Sequence, residues 1–206
     1  MLRELTLAMR ELRQGCADAG WNIKWIAPPN LHIVLRHLGE ISVALPGPIK
    51  ETLQHHIDTT APLELEARGL RPHKLPNEEQ VVTVGLGGDL ERLAELREWV
   101  EKEMSGLGFK PEPWSQEAHL IAGRVVSAGE KPLDEILGEV AEREFGLFLS
   151  RELVLYRSDI VTPKGEFARL WHLPLGGEAD EARATTSPSP SPNPVEATGG
   201  LTPRPS

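Results

Sequence analysis

Cysteine and aromatic residues are scarce in this chain, which has one cysteine, Cys16, one tyrosine and four phenylalanines in 206 residues. A single cysteine cannot build a disulfide framework, so the composition fits a reducing compartment. No apolar run approaches the roughly 20 residues that cross a bilayer. The first residues include Glu4, Glu11 and Asp18 and do not resemble a secretion signal. We therefore predict a soluble, cytoplasmic protein.

Basic charge and metal ligands are also in short supply. The chain has 22 lysines and arginines against 31 acidic residues, a formal net charge of −9. This balance argues against a general nucleic-acid coat, because non-specific binding depends on neutralising phosphates. It still allows a local basic site for one phosphate. There is no cysteine pair, no His-x-x-x-His and no phosphate-binding glycine loop, so we predict no metal and no cofactor.

The chain divides into a folded part and a tail. Residues 178–206 contain little but Ala, Thr, Ser, Pro, Gly and Glu. Such a segment cannot bury enough apolar surface to fold. We predict one domain over residues 1–177 and a disordered Pro/Ser/Thr-rich tail over 178–206.

Helix and strand patterns alternate through residues 1–177. Leu5, Met9, Leu12 and Cys16 recur at steps of three and four, which predicts a helix over 2–19. The same reasoning predicts strands at 31–38, 63–70, 81–86, 118–126, 147–157 and 166–173, and helices at 46–58, 89–105 and 131–144.

The order of these elements indicates a repeat. The second half reads β-α-β-α-β followed by a last strand, and the first half reads α-β-α-β. We predict a duplicated β-α-β-α-β unit whose first copy lacks its opening strand. On this interpretation the N-terminus begins one strand late, as in a truncated start, a misassigned start or a fragment.

Each copy of the repeat carries a histidine at the start of an apolar, β-prone run. Alternation along a strand puts His32, Val34 and Arg36 on one face, and His119 and Ile121 on one face. A lone strand histidine is usually a packed or surface residue, but two at matching positions favour chemistry. Two facing imidazoles could act as general base and general acid in a transfer at phosphorus, without a metal and with a bell-shaped pH dependence.

Four stretches resemble one known family. Residues 28–40, Pro-Pro-Asn-Leu-His-Ile-Val-Leu-Arg-His-Leu-Gly-Glu, resemble the first signature of the 2H phosphoesterases, specifically the RNA 2′,3′-cyclic phosphodiesterases (2′-5′ RNA ligase or LigT-like proteins). Residues 106–112, 119–124 and 153–158 resemble later family stretches in the expected order, so the resemblance covers about 1–175. It implies a bilobal α+β fold with two antiparallel sheets lining a central groove. It also implies that His32 and His119 face each other across that groove as catalytic residues, with His119 as the base.

The chain departs from the family motif at three positions. The family has a hydroxyl residue two positions after each histidine, where this chain has Val34 and Ile121. These residues keep the strand but lose a donor to a substrate phosphate oxygen. Loss of one such donor typically costs roughly 10²–10³ in rate. The usual proline before the second histidine is replaced by Ala118.

Two arginines are candidate phosphate ligands. Arg124 occupies the family position for an arginine that holds phosphate. Strict alternation would put Arg124 on the sheet face opposite to that of His119, so this role requires a bulge or twist near Gly123. Arg36 shares the face of His32. The alternative for each arginine is a solvated side chain. The sequence also has a basic stretch that could guide RNA and an aromatic residue that could stack on a base, unless they are ordinary surface or rim residues: Arg68, Arg71, His73, Lys74 and Trp114.

Together these observations predict an enzyme, acting as a monomer, that hydrolyses 2′,3′-cyclic phosphate ends of RNA or nucleotides to 2′-phosphates. The alternative is a degenerate, non-catalytic 2H domain that binds a nucleotide or an RNA end. Loss of both hydroxyls favours the alternative, and retention of both histidines disfavours it. A third possibility is an unstable truncated product without a function of its own.

Overall fold

The computed structural model describes residues 3–75, 78–111, 119–161 and 166–176, with residues 119 and 158–161 described by their backbone alone. The fold is α+β. Its helices are α1 (Arg3–Asp18), α2 (Pro46–Thr59), α3 (Leu90–Gly106) and α4 (Leu133–Leu137), with 3-10 turns at Pro28–Asn30 and Gly138–Val140. Its strands are β1 (Asn22–Trp25), β2 (Leu63–Lys74), β3 (Gln80–Gly88), β4 (His119–Ser127), β5 (Glu144–Ser150), β6 (Glu152–Val161) and β7 (Phe167–Pro174). Within these described ranges, no helix is both long and apolar enough to cross a membrane.

The strands form two antiparallel sheets, which confirms the predicted fold class. Five strands pair in the order β1-β4-β3-β2-β5, and β6 pairs with β7. The second half follows the predicted order as β3–α3–β4–α4–β5, while the first half runs α1–β1–α2–β2. One face of the large sheet packs on the helices, and its alternate residues are buried in the main core: Leu65, Ala67, Leu70, Val82, Val84, Leu86, Leu120 and Ala122.

Bulges curve the large sheet. Between β2 and β3 the register skips Gly69, which has a φ of +64°. A side chain there would also meet the Ala141 carbonyl oxygen, so both conformation and space require glycine. Between β3 and β4 the register skips Ala122, because Thr83 lies opposite Ile121 and Val82 opposite Gly123. An extra residue of this kind bends a strand and increases its twist.

The predicted strand over 31–38 is wrong. Only Ile33 pairs with a described strand, through an isolated bridge to Leu120 of β4. The chain follows the free edge of β4 as β1, which the sequence did not predict, and the Ile26 N–H donates to the Ala122 carbonyl at 2.8 Å. Pro28 and Pro29 have no N–H to continue the ladder, so the chain loops out in a 3-10 turn and returns to β4 at Ile33.

Three further boundaries differ from the predictions. The strand predicted over 147–157 is divided into β5 and β6, which are separated by Arg151. The helix predicted over 131–144 is one short α-helix followed by a 3-10 turn. Strand β2 continues to Lys74, so the basic stretch belongs to a strand. The predictions for Trp114, Ala118 and the tail fall outside the described residues.

Candidate active site

Strand β4 holds the second histidine motif inside the large sheet. Its backbone pairs with β1 on one side and β3 on the other. His119 lies at the register position opposite Gly85. Leu120, on the helix-packed face, is 5% exposed. The backbone of this motif is therefore fixed by hydrogen bonds on both edges and by core packing.

The bulge at Ala122 brings Arg124 to the same sheet face as Ile121. Ile121 lies opposite Thr83 and Arg124 opposite Val81. Directly opposed residues share a face, and Val81 and Thr83 are two apart on one strand, so all four share it. The bulge that the predicted phosphate role of Arg124 requires is therefore present. Arg124 Nη1 donates to Glu79 Oε2 at 2.5 Å.

His32 is oriented by its own backbone. Its Nδ1 lies 2.6 Å from the carbonyl oxygen of Asn30. A carbonyl only accepts hydrogen bonds, so Nδ1 carries the hydrogen and donates it. Proton exchange at this ring therefore takes place at Nε2, which accepts a proton in the neutral ring and gives one up in the charged ring.

The two-stranded sheet places two aromatic rings, those of Tyr156 and Phe167, beside His32, and these two rings form its aromatic wall. The centroid of the His32 ring lies 5.7 Å from that of Tyr156 on β6 and 6.0 Å from that of Phe167 on β7. The Phe167 N–H donates to Asn30 Oδ1 at 3.0 Å. Asn30 thus accepts a hydrogen bond from the His32 ring with its backbone carbonyl and another from the first residue of β7 with its side chain.

The charged guanidinium of Arg169 lies over one ring of the aromatic wall. The Arg169 guanidinium carbon lies 5.8 Å from the centre of the Tyr156 ring, a cation–π geometry. Burial alone would lower the pKa of Arg169, but the hydrogen bond and charge of Glu152, together with Tyr156, raise it above its ordinary value. Sequence reasoning did not assign a role to Tyr156 or Phe167. The one signal was that Tyr156, the single tyrosine, falls in a stretch that resembles the family.

The two motif segments lie side by side. In the antiparallel bridge between Ile33 and Leu120, the preceding residue on one chain is next to the following residue on the other. The backbone of His32 is therefore beside Ile121, and that of Val34 beside His119. The facing of the two imidazole rings stays a prediction.

Other predicted cations are matched by acidic groups. The Arg36 side chain is 5% exposed and forms an ion pair with Glu101 of α3. Its phosphate role stays a prediction. Its side chain is far more buried than that of Arg124, which is 38% exposed. On β2, Arg71 pairs with Glu142 and Lys74 pairs with Glu78. In the part of the chain that the structure describes, no three His, Cys, Asp or Glu residues are close enough to hold a metal ion.

Comparison with known proteins identifies the fold and the family. No family model matches the chain. The TT0787 protein of Thermus thermophilus aligns over 85% of this chain and 93% of its own, with 22% identity and a TM-score of 0.60. The LigT protein of E. coli, solved with NADP+, aligns over 81% and 91%, with 17% identity and a TM-score of 0.52. These matches show that the chain has the same fold as these two proteins.

Curated relatives show the family to which the chain belongs. An RNA 2′,3′-cyclic phosphodiesterase of Aeropyrum pernix is 32% identical over 139 residues, 67% of this chain and 78% of the relative. One of Archaeoglobus fulgidus is 32% identical over 145 residues, 69% and 78% of the two chains. The chain belongs to the RNA 2′,3′-cyclic phosphodiesterase family, a family of hydrolases.

Proposed function

We propose that this protein hydrolyses 2′,3′-cyclic phosphate ends of RNA or nucleotides to 2′-phosphates, without a metal, using His32 and His119 as general acid and base. The relatives' names supply the substrate class. The observation that carries the proposal is the His32 ring, held through Nδ1 by the Asn30 carbonyl at 2.6 Å, in a segment bridged to the strand of His119.

The proposed reaction is an attack of water on phosphorus. By family analogy, His119 takes a proton from the water as its oxygen bonds to phosphorus. The bond from phosphorus to the 3′ oxygen breaks, and His32 gives that oxygen a proton from Nε2. Nδ1 donates to the Asn30 carbonyl whether the ring is neutral or charged, so the same contact orients His32 before and after the transfer.

Arg124 is the proposed phosphate ligand. It shares a sheet face with Ile121 of the second motif. Its partner Glu79 is only half-buried, with 31% of its side chain exposed, so a phosphate can compete with the carboxylate. Val34 and Ile121 line the proposed site without donating hydrogen bonds, and we expect turnover below that of a motif with hydroxyls.

The replaced hydroxyls also favour a second candidate function. With Val34 and Ile121 at the motif positions, the domain could bind a nucleotide or an RNA end without cleaving it. Binding needs Arg124 and the aromatic wall around His32, whereas cleavage also needs stabilisation of the charge that develops on the phosphate oxygens.

Turnover of an oligonucleotide that ends in a 2′,3′-cyclic phosphate separates the two functions. The protein, His32→Ala and His119→Ala are compared with His55→Ala, which removes an exposed histidine of α2. We expect each motif variant to lose at least about 10²-fold in kcat and His55→Ala to lose nothing. The Val34→Thr/Ile121→Thr variant should gain activity. Binding without turnover in every variant would establish the second function instead.

Mass and pH provide two further checks. We expect the protein to act as a monomer, which light scattering during gel filtration measures. The pH profile of kcat should be bell-shaped, because one histidine must be neutral while the other is charged. A profile with one limb would contradict paired acid–base catalysis.

A further inference from the structure

We infer that Arg36 is a positioning residue, which fixes the segment of His32 by binding Glu101 of α3 and the carbonyl of Lys110. This inference rests on the proposed function for its kinetic consequence, but its structural part does not. The question arises because residues 31–38 pair with a described strand only at Ile33. A ladder of hydrogen bonds does not define where His32 lies, so other contacts must.

The Arg36 guanidinium connects its segment to α3 and to the residues just after α3 through two hydrogen bonds. Nη1 donates to Glu101 Oε2 and Nη2 donates to the Lys110 carbonyl, just beyond the end of α3. The side chains of Arg36 and Glu101 are 5% and 21% exposed. Because both side chains are mostly buried, solvent screens their ion pair only weakly. The planar guanidinium donates its hydrogen bonds in fixed directions, so it fixes the orientation of the two groups as well as their distance.

Arg36 makes one of three contacts that connect the segment around His32 to other elements. Asn30, two residues before it, binds the Phe167 N–H of β7. Ile33, one residue after it, bridges to β4. Arg36, four residues after it, binds α3. The three contacts run to three separate elements. Packing of Leu31, Ile33, Leu35 and Leu38 against the core holds the segment in place, and the three directional contacts fix its orientation.

Stability alone does not account for this arginine. Its Nε is buried and has no hydrogen-bond partner among the described residues, and a buried donor without a partner is unfavourable. Apolar residues of similar volume often replace a buried ion pair without loss of stability. The directional contacts of Arg36 are what such residues could not reproduce.

The test compares both sides of the pair. Arg36→Met and Glu101→Gln remove the ion pair from opposite ends, and Arg36→Met/Glu101→Leu replaces it by apolar residues. For all three we expect kcat to fall on the order of 10- to 100-fold, since a misplaced catalytic group has effects of this size. KM and the Kd of a 2′-phosphate nucleotide should stay within about twofold, and Arg36→Lys should restore part of kcat.

A control arginine with similar contacts but a more exposed ion pair lies at the other end of α3. Arg92 also binds a carboxylate, Asp89 at 2.7 Å, and a backbone carbonyl, that of Ala61 at 2.7 Å. Arg92→Met should leave kcat unchanged. The apolar double variant should unfold at a urea concentration no lower than the wild type, which separates loss of position from loss of stability.

Different results would overturn the inference. If Arg36 bound phosphate, Arg36→Met would raise the Kd of the nucleotide while Glu101→Gln would not. If Arg36 were merely structural, kcat would follow stability, and the apolar double variant, which keeps its stability, would keep its kcat.

An NMR readout does not depend on turnover. The imidazole ¹⁵N signals of His32, assigned by their loss in His32→Ala, report its Nδ1–H tautomer. We expect these signals to shift or broaden in Arg36→Met and in Glu101→Gln, and to stay unchanged in Arg92→Met. Unchanged signals in the first two variants would reject the inference even if the enzyme is active. Altered signals in those variants, together with a wild type that shows no turnover, would reject the proposed function and retain the inference.

Discussion

The two histidine motifs have similar sequences and different structures. Residues 119–127 form β4, which is paired on both edges and buried on one face. Residues 31–38 form one bridge to β4. They are also held by the packing of Leu31, Ile33, Leu35 and Leu38 against the core and by the side chains of Asn30 and Arg36. A β-prone run thus becomes a strand only where a neighbouring strand offers a free edge.

This difference predicts different responses to mutation. Changes in β4 disturb the core and should appear mainly as lost stability. Changes in 31–38 should appear mainly as lost activity in a protein that still folds. Four experiments test this difference, in order of decreasing expected effect.

The largest contrast is expected at the bridged pair itself. Leu120 is 5% exposed, so Leu120→Ala should cost about 3–4 kcal/mol, counting the lost transfer energy and the cavity. Ile33 is half-buried, so Ile33→Ala should cost about 1–2 kcal/mol. Urea unfolding measures both. Equal costs would mean that the two segments are equally integrated into the core.

The contact between β1 and β4 comes next. A Cβ at Gly123 would lie 2.8 Å from Ile23 Cγ2 and 3.4 Å from a ring carbon of Trp25. Gly123→Ala should push β1 away from β4, cost about 1–3 kcal/mol and speed hydrogen exchange at the Ile26 amide. The control is Gly39→Ala, at a φ of +66° with open space around it, which should leave that amide protected. Unchanged exchange in Gly123→Ala would contradict the close approach.

A smaller effect is expected where the segment of His32 meets the two-stranded sheet. Asn30→Ala removes the acceptor of the Phe167 N–H, a bond of 3.0 Å, and should cost about 1 kcal/mol. Amide exchange at Phe167 should quicken. Asn30→Asp keeps an acceptor and should retain slow exchange. Loss of protection in both variants would contradict a hydrogen bond from the Phe167 N–H to Asn30 Oδ1.

The smallest effect lies outside both motifs and serves as a baseline. Burial raises the pKa of the Cys16 thiol above its ordinary value of 9.0. The folded state therefore keeps the proton longer than the unfolded chain, so its stabilising effect is present below about pH 9 and is lost as pH rises further. Cys16→Ala should flatten the alkaline limb of the stability curve. An unchanged slope would assign that limb to other groups.

Much of the architecture could be predicted because its cause is local. The stripe of Leu5, Met9, Leu12 and Cys16 predicted α1, and the apolar run after His119 predicted β4. The requirement for a bulge near Gly123 followed from alternation, and the bulge lies at Ala122. The split at Arg151 and the short α4 were not predicted, because patterns of apolar residues do not specify where a strand or helix ends.

The partners of individual side chains could not be predicted, because they lie far away along the chain. Arg36 meets Glu101, 65 residues later, and Asn30 meets Phe167, 137 residues later. Nothing in the spacing of Arg36 from His32 distinguishes a phosphate ligand from a buried ion pair. The tautomer of His32 depends on the turn at Pro28–Asn30, which turns the Asn30 carbonyl towards Nδ1.

The amino-acid sequence alone was enough to predict the α+β order of elements and to identify the two histidine motifs, because periodicity and residue type express local energetics. The tertiary structure decided which motif is a strand, which arginine shares the sheet face of Ile121 and which binds Glu101 of α3. Those outcomes depend on the free edges, the burial and the distant partners that folding brings together.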